Sequence, residues 1–316
     1  MADKPSRALV LFGDGLARSI DPSHTHLHAL AFKALCGFLS LPNSPPSESD
    51  DERIVREFAV LLDGCETYLN TGGQMTDDDS QKILINQTLP DRFMGMKAAI
   101  LTNNTSLKSF SAKLGLSVLQ LDELGKVSIH EVNVVVLELL KLLGFQEGKV
   151  QENNQFDIVF FHIGAGEKVN GNEQKVMAAD LEYINALVGG VMCQTQPESD
   201  ISFRLHLSLV MSYGNILADD NSKFSVLKSF DAKNPNLPDL FPCQSYTMKG
   251  EIPRKDVRHH CPMLIAQYQD GVTRKDCAER FSFKDFKEYG GNLVIPADRF
   301  LHEIAFKLWR APKYGA

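Results

Sequence analysis

The residues whose types could do chemistry in this chain stand mostly at the ends of apolar runs. Asp14 lies between Gly13 and Gly15, directly after the run Ala8 to Phe12. That pattern predicts a buried strand presenting one carboxylate at its carboxyl end. Two further runs stop in the same way. DIVFF leads into HIGAGEKVNG, which carries His162 and Glu167, and LSLVM leads into Ser212-Tyr213-Gly214-Asn215. Ligands of open α/β sheets gather outside the carboxyl ends of strands, so these three turns are where a site is expected. For Asp14 alone, two readings stand: a ligand-binding carboxylate, or one that hydrogen-bonds the adjoining turn and helix N-terminus. Glu167 reads as a solvated turn acid.

A basic group, Arg254, Lys255, Arg258, His259 and His260, precedes another apolar run, CPMLIAQY. Planar guanidinium groups suit bidentate binding of phosphate or carboxylate, and the competing reading is a charged loop. His24, His26 and His28 cluster in SHTHLH, but alternate residues of a helix do not share a face, so the three cannot hold one ion there. HIGAG and GDG offer backbone N–H groups to an anion, yet neither matches a P-loop or a dinucleotide fingerprint. The acidic runs DDER and TDDD read as solvated loop charge.

The elements that must position these groups follow from patterning. The 316 residues are 43% hydrophobic and 23% charged, an ordinary globular balance. A net charge of −7 supplies no overall basic field, so neither nucleic acid nor an anionic membrane is an expected partner. No stretch reads as a signal peptide or a membrane span, and the six scattered cysteines read as reduced structural thiols, so a cytoplasmic location is expected. THLHALAFKALCGFLSL shows a helical stripe ending near Gly37, and RIVREFAVLLDGCETYL a second amphipathic helix. From Met96 onward strands alternate with helices: MKAAILT, SLKSFSAKLG, LSVLQLD, then SIHEVNVVVLELLKLLG with Ser128 and Glu131 as a capping box and Gly144 as its stop. DIVFF, a long helix over EQKVMAADLEYINALVGGVM, the strands RLHLSLVMSYG and CPMLIAQY, and a closing helix PADRFLHEIAFKLW complete the chain. The alternation predicts an α/β fold, a largely parallel sheet with helices on both faces. One domain over 1–316 is expected, with a loop-rich insertion at about 42–95.

In the order of these strand ends the chain resembles the alkaline phosphatase superfamily. Within it, the resemblance is to the cofactor-independent phosphoglycerate mutases, especially the shorter archaeal-type branch, and to a group of plant mutase-like proteins. It is clearest over Ala8–Leu41 and Met96–Tyr213. The resemblance implies two divalent metals, usually Mn²⁺ or Zn²⁺, held by carboxylates and histidines, and a Ser or Thr nucleophile that takes the phosphoryl group. Carried over by position, Asp14 is kept, and the nucleophile falls in the loop after CGFLSL, where Ser47 and Ser49 are the choices. His162 is kept, Glu167 stands where Asp is expected, and Asn170-Gly171 replace Gly-His. Ser212-Tyr213 replace Asp-His, with Gly214 and Asn215 retained, and His259 or His260 precedes Pro262 as the last histidine. Tyr213 reads as a pocket wall filling the space of the lost histidine.

With these departures, the resemblance implies a catalytically degenerate relative that binds, regulates or scaffolds, with no metal cofactor. Its expected partners are a small phosphorylated metabolite, held through Arg254 and Arg258, or another protein. The alternative is a metal-dependent mutase or phosphatase with a rearranged site. It would use Mn or Zn on Asp14, Glu167, His259 or His260, with Ser47 or Ser49 as nucleophile.

Overall fold

The computed structural model describes residues 6–75, 87–120, 132–164, 173–196, 199–217, 220–226, 248–249, 252–254, 256–290 and 294–312. Eight strands build one sheet: β1 (Arg7–Asp14), β2 (Leu35–Leu41), β3 (Ala98–Leu101), β4 (Ser117–Leu119), β5 (Ile158–Gly164), β6 (Leu205–Met211), β7 (Arg258–Tyr268) and β8 (Val294–Pro296). Their spatial order is β8-β2-β7-β6-β1-β5-β3-β4. All neighbours are parallel except β7, which runs antiparallel to both β2 and β6. The α/β expectation holds, with one reversed strand inside the sheet. β1 is central and buried along its whole length, which is why it reads as a continuous apolar run rather than an alternating one.

The principal helices are α1 (Thr25–Lys33), α2 (Asp50–Leu61), α3 (Cys65–Asn70), α4 (Thr105–Lys113), α5 (Val132–Leu142), α6 (Glu173–Gln194), α7 (Phe283–Tyr289) and α8 (Phe300–Lys307). The pleat divides the core in two. Leu9, Leu11, Phe161, Leu207 and Leu209 face α1, α5 and α6, whereas Ala8, Val10, Phe12, Phe160 and Val210 face α2, α4 and α8. The stretch Val176–Gln194 of α6 is long and apolar enough to cross a membrane by length and composition alone. In this fold Leu181, Ile184, Leu187, Val188 and Val191 are buried against the first of those faces.

Two expectations change. The helix expected to end near Gly37 stops at Lys33, and Leu35–Leu41 is strand β2, paired with β7 and β8. A short unbroken apolar run cannot be told from a buried helix by periodicity, and tertiary pairing decides it. The second amphipathic helix divides in two at Asp63 (φ 50°) and Gly64, giving α2 and α3. Within the described part of the 42–95 segment, Phe58, Leu61, Tyr68, Leu89 and Phe93 belong to the core. The proposed Ser128–Glu131 box lies outside the described residues, while Gly144 takes φ 75° just beyond α5 as a helix stop requires.

Candidate functional site

The pleat brings the site together. Asp14 on β1, His162 on β5 and Ser212 just past β6 have the same parity as Phe12, Phe160 and Val210, so all three side chains lie on the α2 side of the sheet. α2 starts there because of its own sequence. Ser49 caps it, accepting from the Glu52 N–H while the Glu52 carboxylate accepts from the Ser49 N–H (2.9 Å) and hydroxyl (2.6 Å). Asp50, Asp51 and Glu52 fill the first turn, where the helix dipole favours acids. Every residue from Arg53 to Leu61 is then buried, including Arg53, Arg56 and Glu57.

Arg53 reaches across to β1. Its Nη1 and Nη2 each donate to one oxygen of Asp14 at 2.8 Å, a bidentate pair with both side chains out of solvent. The Ser212 hydroxyl donates to Asp14 Oδ1 (2.8 Å) and accepts from the Gly15 N–H (2.9 Å), tying the ends of β1 and β6 together. Gly164 completes the enclosure: a Cβ there would stand 2.4 Å from the Asp14 carbonyl oxygen, at φ 150°. Burial by itself would raise the Asp14 pKa, but the charge and hydrogen bonds of Arg53, with His162 and Ser212, outweigh it and hold the carboxyl below its usual range.

The charge pattern extends outward from this pair. Glu57 lies 3.3 Å from Arg53 Nη1 and 3.7 Å from Arg258 Nη2. Burial raises its pKa against the opposing pull of those two arginines. Arg56 is held by Glu48 (2.5 Å) and by the Ser44 hydroxyl (3.0 Å). Three guanidinium groups thus face three carboxylates in a largely dehydrated cluster. His162 borders it: Nδ1 shares a 2.8 Å hydrogen bond with the Thr102 hydroxyl, while buried Nε2 has no protein partner. Burial pushes the His162 pKa down to about 4, so the ring is neutral at pH 7.

The residues singled out from the sequence separate into three sets. Asp14, His162 and Ser212 converge. Ser47 and Ser49 are exposed, and Ser49 is spent on capping α2; neither hydroxyl bonds Asp14, whose oxygens go to Arg53 and Ser212. Arg254 and Arg258 are committed to internal partners instead of forming an open clamp. Arg254 pairs with Asp298 (2.8 Å), and Arg258 is buried with donors on Ser44 and on the His260 and Cys261 carbonyls. His259 is exposed, and half-buried His260 bridges to Ser225 through the backbone. Glu167, Asn170 and Gly171 lie outside the described residues. Tyr213 is buried with its ring 4.7 Å from that of Phe224 and beside the Arg18 guanidinium, and it packs in the core on the other face of the sheet from Asp14 and Ser212.

Arg53 was missed. DDER opens α2 instead of lying in a loop: Asp51 and Glu52 are exposed as expected, but Arg53 is buried as the partner of Asp14. The available signal was the helical spacing of Arg53, Arg56 and Glu57 among Ile54, Phe58 and Leu61, too dense in apolar residues to leave the charges outside.

These residues do not fit the metal pair that the resemblance implies. Both oxygens of Asp14 already accept from a guanidinium, a cation the protein supplies itself. The hydroxyl of Ser212 is a donor to that same carboxylate, and the Tyr213 phenol is held protonated by burial. Among the described residues no group of three or more His, Cys, Asp or Glu is placed to hold a metal ion.

No known family model matches the chain, and no curated protein matches it by sequence. Solved structures do match. The PH0037 protein of Pyrococcus horikoshii is similar over 99% of both chains, at 12% identity and a TM-score of 0.55. A protein of the alkaline phosphatase superfamily from Vibrio parahaemolyticus is similar at 9% identity and a TM-score of 0.49, over 96% of this chain and 67% of that one. Cofactor-independent phosphoglycerate mutase from Thermoplasma acidophilum is similar at 10% identity and a TM-score of 0.46, over 96% and 99%. At 12% identity the likeness to the PH0037 protein is one of fold.

Proposed function

We propose that this chain is a catalytically degenerate relative of cofactor-independent phosphoglycerate mutase that acts by binding, as a regulatory or scaffolding protein. The observation that carries the reading is the bidentate Arg53–Asp14 pair at the carboxyl end of the central strand. A divalent ion at Asp14 would have to displace a buried guanidinium and then coexist with its charge. Like charges a few ångströms apart in a low-dielectric site repel strongly. A second feature supports the same reading: the hydroxyl of Ser212, in place of a ligand carboxylate, locks the carboxylate it touches instead of adding negative charge. Two-metal chemistry needs both cations to stabilise the attacking and leaving oxygens, and this arrangement offers one fixed, internally neutralised cation.

The test is bound metal per chain by elemental analysis after equilibration with Mn²⁺ and Zn²⁺ and dialysis, paired with assays on phosphoglycerates and a chromogenic phosphomonoester. The expected result is no stoichiometric metal and no metal-dependent turnover. Two equivalents of metal, lost in Asp14→Asn, would overturn the reading in favour of a metal-dependent mutase or phosphatase with a rearranged site. Among the described residues, the buried Nε2 of neutral His162, with no hydrogen-bond partner, favours that alternative.

A further inference from the structure

Ser44 lies in the loop between β2 and α2, half-buried and followed by Pro45. Its hydroxyl oxygen accepts from two guanidinium groups, Arg56 Nη2 at 3.0 Å and Arg258 Nη1 at 3.2 Å. Both arginines are buried, and Arg56 retains a second donor, Nη1, that is buried with no partner. Two cations converge here on one neutral oxygen that has only two lone pairs to offer, with a donor to spare. A phosphate on that oxygen would supply three acceptor oxygens and about two negative charges, the chemistry that guanidinium forks recognise. The surrounding chain suits modification as well. The loop from Pro42 to Ser49 has no helix or strand, and Asn43, Pro46 and Ser47 are exposed.

We propose that Ser44 is a phosphorylation site whose phosphate is held by Arg56 and Arg258. The phosphoryl donor is a nucleoside triphosphate used by a kinase that selects proline after the acceptor. The Ser44 oxygen forms the new O–P bond, the bridging P–O bond to the γ-phosphorus breaks, the nucleoside diphosphate leaves, and the hydroxyl proton passes to the kinase's base. The modification is wired to the strand-end site. Arg258 also faces Glu57, which faces Arg53, which holds Asp14. A phosphate that draws Arg258 and Arg56 towards Ser44 competes with Glu57 and Glu48 for them, and so changes the balance of charge on α2.

The experiment uses the full chain with phosphoserine installed genetically at position 44, and as a comparison at exposed position 47, each titrated by ³¹P NMR. Arg56 and Arg258 favour the dianion, while Glu48 and Glu57 oppose it. With the arginines in contact, the second ionisation at position 44 is expected about one pH unit below that at position 47, a tenfold shift in the equilibrium. Arg258→Gln should remove much of that difference. Equal midpoints at 44 and 47, or a higher one at 44, would overturn the proposal without any arginine variant having to fold. In a second arm, the native folded chain is incubated with a proline-directed kinase and ATP, and the sites are mapped by mass spectrometry. Phosphate on Ser44 is expected, and a folded chain left unmodified there overturns it equally.

Discussion

At the scale of single residues, the defining fact is that a carboxylate at the end of the central strand is answered by an arginine. Taking Asp14 and Arg53 out of water is costly, and only their bidentate geometry with Ser212 and Glu57 offsets it. Removing one partner strands the other in a dry site. Arg53→Met is therefore expected to destabilise the fold by about 3–5 kcal/mol, with a loss of the same order for Asp14→Asn. The double variant should lose clearly less than the sum of the two, because the stranded charge is gone. Urea unfolding of the four proteins measures this, and simple additivity would show that the pair is not coupled. Asp14 was legible in the sequence as a residue with a role. Arg53 was not, because a charge on a helix is read as solvated until the packing around it is known.

At the scale of elements, α2 is the unit that closes the site, and its start is written locally. Ser49, with Glu52 three residues on and acids in the first turn, is a capping box whichever sheet the helix meets. Ser49→Ala should cost about 1 kcal/mol of stability in thermal or urea unfolding and leave phosphoserine formation at Ser44 intact. Unchanged stability in Ser49→Ala would mean that the Ser49 hydroxyl does not hold the start of α2. Most elements after Met96 were legible, since they alternate apolar strands with amphipathic helices bounded by Gly115 and Gly144. β2 was not, because Leu35–Leu41 is apolar on both faces and only its pairing with β7 and β8 distinguishes it from more helix.

At the scale of the whole molecule, the fold buries neutral histidines at both ends of its sheet. His162 sits at the carboxyl end of β5, and fully buried His206 at the amino end of β6. Burial lowers both pKa values, that of His162 to about 4. An unfolded histidine binds its proton near pH 6.5, so between 6.5 and 4 the unfolded chain holds more protons than the folded one. The stability contributed by a neutral His162 is thus fully present above pH 6.5 and is lost as pH falls towards 4, amounting to about 3 kcal/mol. Unfolding free energies measured from pH 7.5 to 4 should fall more gently in His162→Gln than in the native chain; parallel slopes would mean that His162 is not buried neutral. The sequence by itself determined the α/β class, the central apolar strand and the three turns where a site had to lie, because period, run length and glycine stops are local properties. Only the tertiary structure decided what fills that site. Which charge meets Asp14 depends on how a helix some forty residues away packs across the pleat, and on the burial that makes a guanidinium, a hydroxyl and a neutral imidazole its partners.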